Sequence, residues 1–141
     1  MDLQALEQSL PSEFEFFHLG KVSRDRSATF PQIQFIDKAV VGFTLQGDFR
    51  GALLVVFDQG LDVSMYSEMG NIIASQLVTN LSKQGLDVVI SPPKTVGSDQ
   101  ALKLVEQASR LPGGNGIAQQ RFLHFNNLYL VNVETLILGE P

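Results

Sequence analysis

Two β-rich apolar runs, AVVGFTL from Ala39 and ALLVVF ending at Phe57, are separated only by Gln46-Gly47-Asp48-Phe49-Arg50-Gly51. Just beyond them, after Gly60, the apolar spacing changes from two to about 3.6 residues and holds to Lys83. The short glycine-containing connection reads as a hairpin, so the two runs become neighbouring antiparallel strands. Gly85 is placed to end the helix that follows. A chain built this way must lay one long amphipathic helix on an antiparallel sheet.

The rest of the sequence adds to that frame. Leu3, Leu6 and Leu10 at helical spacing, with Asp2 at the start and Pro11 after the end, predict a short helix over residues 2 to 10. Phe14, Phe16 and Phe17 suggest a strand, whereas Ser23 to Ser27 is polar and reads as a loop. Val88-Val89-Ile90 predicts a short strand, stopped by Pro92 and Pro93, which cannot donate to a ladder. A second long helix is expected from Asp99 to Arg110, capped by Ser98 or Asp99, with Leu102, Leu104 and Val105 facing inward. Strands over about Gln120 to Phe125 and Leu128 to Leu138 flank an Asn126-Asn127 turn. The expected class is α+β: an antiparallel-rich sheet carrying the long helix, with the amino-terminal and Asp99 helices packed alongside.

Composition narrows the function. The 141 residues make one domain, 1–141, and the 44% apolar fraction supports a real core. The chain has no cysteine, which excludes disulfides, thiolate metal sites and a cysteine nucleophile. With 15 acidic against 10 basic side chains, the net charge of −5 repels a phosphate backbone, so nucleic acid is not an expected partner. No apolar run approaches the roughly 18 residues of a membrane span, and the start, MDLQALEQSLPSEF, lacks a signal peptide's basic and apolar regions. A cytoplasmic location is expected.

Some suggestive residues carry no chemistry. His18 and His124 have no partner at motif distance, and Gly113-Gly114-Asn115-Gly116 lacks the Gly-Lys-Ser/Thr of a phosphate loop. No metal-ligand set is present. Chemistry is instead expected on the long helix. At about 100° per residue, Met65, Met69, Ile72, Ile73, Leu77 and Leu81 share the side that packs on the sheet. Ser64, Glu68, Asn71, Ser75 and Ser82 form a polar stripe about opposite, suited to meeting a partner. Gln76 and Asn80 project onto the apolar side, where they are either incompletely buried or hydrogen-bonded. Gly70 projects onto the buried flank, which points to close packing against a neighbour.

Ser64-Met65-Tyr66-Ser67-Glu68-Met69-Gly70-Asn71 resembles the Asp/Ser-x3-Glu-x2-Asn pattern on the active-site helix of the CheC/CheX/FliY family of chemotaxis phosphatases. Gly47-Asp48-Phe49-Arg50-Gly51 is similar to that family's glycine-bracketed hairpin, and Ile90-Ser91-Pro92-Pro93 to its strand ending in Ser/Thr-Pro-Pro. The resemblance covers roughly Ala39 to Val96, and its single Glu-x2-Asn is closest to a CheX-like member.

The resemblance implies hydrolysis of the aspartyl phosphate on a response-regulator receiver domain of the CheY type. The catalytic pair would be Glu68 and Asn71: Asn71 holds the attacking water and Glu68 docks a basic side chain of the receiver. Ser64, Glu68 and Ser75 would form the partner-binding surface. No cofactor is expected in this chain, and the Mg²⁺ would come with the receiver. A homodimer joined through sheet edges is implied by analogy with CheX-like relatives. The alternative is a non-catalytic module on the same fold that binds a receiver or a flagellar switch component. Two departures from the family stand out. Few residues separate Phe57 from Ser64, and the resemblance fades beyond Val96, where a helix replaces expected sheet.

Overall fold

A computed structural model describes residues 8–16, 20–24, 35, 37–58, 63–109, 117–125 and 130–139; of residues 14–16, 20, 24, 58, 63, 64, 109, 117–125 and 130–136 it describes the backbone course. Its strands are β1 (Glu13–Phe16), β2 (Gly20–Arg24), β3 (Lys38–Gly47), β4 (Gly51–Asp58), β5 (Val88–Ile90), β6 (Lys94–Thr95), β7 (Ile117–Phe125) and β8 (Leu130–Gly139). Two helices lie wholly within the described residues, α1 (Val63–Lys83) and α2 (Ser98–Ser109), and Gln8 and Ser9 are also helical. The strands form one sheet in the order β1-β2-β7-β8-β4-β3-β5, with β6 also on β3, and every pairing is antiparallel. The α+β class and antiparallel sheet expected from sequence are present.

Why β3 and β4 read as nearly continuous apolar runs is now plain: both sheet faces are covered. On one face Val41, Phe43, Leu45, Leu53, Val55 and Phe57 join Met69, Ile73, Leu77 and Leu81 of α1 in a buried cluster. On the other, Val40, Leu54, Val56 and Leu138 pack with Ala101 and Ala108 of α2. The helix expected to lie beside α1 therefore lies across the sheet from it, because the alternate residues of β3 and β4 are equally apolar and need their own cover.

Other expectations are corrected in detail. Ser23 and Arg24, read as loop, pair with Leu123 and Phe122 in the sheet, where backbone pairing outweighs polar side chains. Leu102, expected to face inward, is 47% exposed. The inward row of α2 is Ala101, Leu104, Val105 and Ala108, whose alanines allow a close approach. Ser98 does not cap its helix; its hydroxyl donates to the Phe35 carbonyl at 3.2 Å. The first turn instead closes with Ala101 N–H on the Gly97 carbonyl at 2.9 Å.

The predicted helix over residues 2 to 10 falls mostly outside the described residues, as do Phe17, His18, the Gly113 to Gly116 run and the Asn126-Asn127 turn. The residues between Phe57 and α1 that depart from the family pattern also lie largely there.

Both ends of the hairpin region are shaped by backbone contact. Gly47 has φ +113°, and a Cβ there would collide with the Asp87 carbonyl oxygen. Asp48 N–H donates to that carbonyl at 2.9 Å, while the Asp48 carboxylate accepts from Asp87 N–H at 2.7 Å. The hairpin is thereby tied to the turn that ends α1. That turn is a Schellman motif: Gly85, at φ +82°, donates to Ser82 O and Leu86 N–H donates to Leu81 O, both at 3.0 Å.

Ser91-Pro92-Pro93 builds a bulge. β5 pairs with β3 as Leu45↔Ile90, whereas β6 pairs as Gly42↔Lys94, so one residue of β3, between Thr44 and Gly42, faces both prolines. The Ser91 hydroxyl accepts the Thr44 N–H at 2.8 Å and Ser91 N–H donates to Thr44 O at 3.0 Å. The side chain thus completes a ladder that the prolines interrupt.

Candidate active site

α1 is held against the sheet at points along its length. Near its start, Tyr66 is buried, with its ring 5.0 Å from that of Phe57 and tilted by 34°. One turn on, Gly70 lets the helix backbone approach β3, since a Cβ there would lie 3.3 Å from two ring carbons of Phe43 and 3.5 Å from Val41 Cγ1. The expectation of close packing at Gly70 is met. At the far end, Asn80 Nδ2 donates to the Ser9 carbonyl and Gln84 Nε2 to the Ser9 hydroxyl, each at 2.8 Å, and Ser9 is buried. Of the two polar residues projected onto the apolar side, Asn80 thus makes a hydrogen bond and Gln76 is half-buried.

What this clamping leaves outward is the polar stripe. Glu68, Asn71, Ser75 and Ser82 are all exposed. Ser64 lies in the first turn of α1, with its side chain outside what is described. Thr79 is a fifth exposed member that the sequence reading omitted, although the same 100° projection includes it. Its hydroxyl donates to the Ser75 carbonyl at 2.9 Å, so it is engaged within the helix. Taken together these positions span an arc of about 80° on a helix of 3.6 residues per turn.

Glu68 and Asn71 are three residues apart, neighbours on one turn separated by about 4.5 Å of axial rise. Among the described residues neither head group has an ion pair or hydrogen bond. Among the described residues a carboxylate and a carboxamide without partners therefore stand side by side on a solvent-facing surface. Chemically, the pair can accept a cationic side chain at one point and orient a water or polar group at the next. Among the described residues no group of carboxylates or histidines could hold a metal ion.

Residues 64–96, which run from the start of α1 past the Glu68–Asn71 pair to Val96 beyond β6, match the model of the CheC-like family. Two solved structures share the fold. The chain is similar to the CheX–CheY–BeF3–Mg complex structure from Borrelia burgdorferi at 17% identity and a TM-score of 0.50, covering 98% of this chain and 92% of that one. The chemotaxis protein CheX from Vibrio vulnificus is similar at 15% identity and a TM-score of 0.54, covering 86% and 84%. At these identities the likeness is one of fold. No curated protein matches the sequence significantly. Among the described residues no helix is long and apolar enough to cross a membrane.

Proposed function

We propose that this chain, as a single CheX-like domain acting in the cytoplasm, dephosphorylates the aspartyl phosphate of a response-regulator receiver domain. The observation that carries the reading is the exposed Glu68–Asn71 pair, without a partner among the described residues, on a helix held near its start and at its far end. The Borrelia burgdorferi neighbour is a complex of CheX with CheY, BeF3 and Mg, which supports a receiver as partner and the receiver as the source of Mg²⁺.

In this mechanism Glu68 pairs with a basic side chain of the receiver, and Ser64 and Ser75 extend the contact along the stripe. Docking carries Asn71 to the phosphoryl group. A carboxamide neither takes nor gives a proton at neutral pH, so its role is geometric: it holds a water opposite the bond between phosphorus and the aspartyl oxygen. The water oxygen bonds to phosphorus, the bond to the aspartyl oxygen breaks, and the water proton passes to the departing phosphate. The products are inorganic phosphate and a free aspartate. The receiver's Mg²⁺ offsets charge on the phosphoryl oxygens. The clamped helix matters because misplacement by about 1 Å can cost on the order of 100-fold in rate. The proposal extends to a homodimer paired along a sheet edge, where β1 and β5 end the strand order.

Phosphate release from a phosphorylated receiver of the same organism tests the reading. The native chain should accelerate release, Asn71→Ala should abolish the acceleration while still binding, and Glu68→Lys should weaken binding. A receiver that binds through Glu68 without losing phosphate faster would make the chain a docking module instead.

A further inference from the structure

On the sheet face away from α1 lies an open cavity of about 310 Å³, between β3, β4 and one flank of α2. Its origin is in the sequence. Gly42, Thr44 and Ala52 are small residues on this face, and a Cβ at Gly42 would run into Val96, so the floor cannot be raised there. α2 does not fill the space: Gln100, Leu104 and Gln107, spaced by four and then three residues, form the cavity's wall.

The lining has a distinct chemistry. Leu54 and Val96 make an apolar floor, Leu104 an apolar wall, and Gln100 and Gln107 are exposed amides at the rim. Among the described residues Lys94 is the one charged residue of the lining, and it has no ion pair. Among the described residues the cavity wall thus offers an ammonium without an ion pair and no carboxylate, which favours an anion. Its volume is at the lower end of the roughly 300–1,000 Å³ of small-molecule sites, which are mostly apolar with a few placed polar groups.

We propose that this cavity is a binding site for a small organic carboxylate with a short apolar body, its head on Lys94 and the Gln amides and its body against Leu54 and Leu104. The site is independent of the α1 surface, and its test does not involve a receiver. Hexanoate titrated into the full-length protein and followed by amide chemical shifts should give saturable changes at Gly42, Thr44, Lys94 and Leu104. Lys94→Met should weaken binding about tenfold, as loss of a charged hydrogen-bond donor does. Gln107→Glu, which places a negative charge at the rim, should weaken it at least as much. Because Lys94 and Gln107 are exposed, both variants should retain the α1 resonances of the native fold. The proposal is overturned if hexanoate leaves the lining amides unmoved, if hexanol or hexylammonium shifts them equally, or if inorganic phosphate displaces hexanoate at similar concentration.

Discussion

Gly70 of α1 stands against the ring of Phe43 on β3, close enough that a single added methyl would lie 3.3 Å from two ring carbons. That contact sets how near the sheet the helix lies just where Asn71 faces outward. Gly70→Ala gains about 1 kcal/mol of helix propensity and loses about 1–3 kcal/mol to overpacking. Phe43 is 3% exposed and confined by its neighbours, so the net effect should be destabilising. Urea denaturation should show this, and Phe43→Leu in the same chain should make the alanine less harmful than in the native background.

The two left-handed glycines should respond differently to alanine. Gly85 at φ +82° has open space around its missing side chain, so Gly85→Ala should cost only the roughly 1–2 kcal/mol of the conformation itself. Gly47→Ala adds a collision with the Asp87 carbonyl oxygen and should cost more. A larger fall in the denaturation midpoint for Gly47→Ala than for Gly85→Ala checks the difference; equal falls would mean the hairpin and the α1 turn are not in contact.

Polar ties to the buried Ser9 and to Thr44 should be separable by exposure. Asn80→Ala removes a donor to the carbonyl of the buried Ser9 and should cost about 1 kcal/mol, whereas Gln84, exposed at the helix end, should cost less than that when truncated. Ser91→Ala removes the acceptor of Thr44 N–H and should cost about 1 kcal/mol, with Ser91→Thr restoring most of it. Equilibrium unfolding of the four variants provides the comparison.

If Glu68 docks a basic residue of the receiver, its contribution is an exposed electrostatic one. Glu68→Gln should slow association several-fold in dilute buffer and much less at 1 M salt, where the screening length is about 3 Å. Association rates measured at the two ionic strengths check this. An effect independent of salt would place Glu68 outside the docking contact.

Much of the candidate site could be read in the sequence because it lies on one helix. Residues on a helix are placed relative to one another by 3.6-residue geometry alone, so the buried side with Met69, Ile73, Leu77 and Leu81 and the stripe with Glu68 and Asn71 followed from spacing. The hairpin, the Gly85 stop and the packing role of Gly70 were local in the same sense. Contacts between elements distant in the chain had no such ruler. Apolar alternation in β3 and β4 could not say that each face has its own helix, and so α2 was expected beside α1 rather than across the sheet. Leu102 looked buried until the sheet selected the alanine row of α2. The Ser9, Phe57 and Ser91 contacts join residues 71, 9 and 47 positions apart, which only the folded chain brings within reach. Local periodicity thus determined what α1 presents, and long-range packing decided how firmly it is held and what lies behind it.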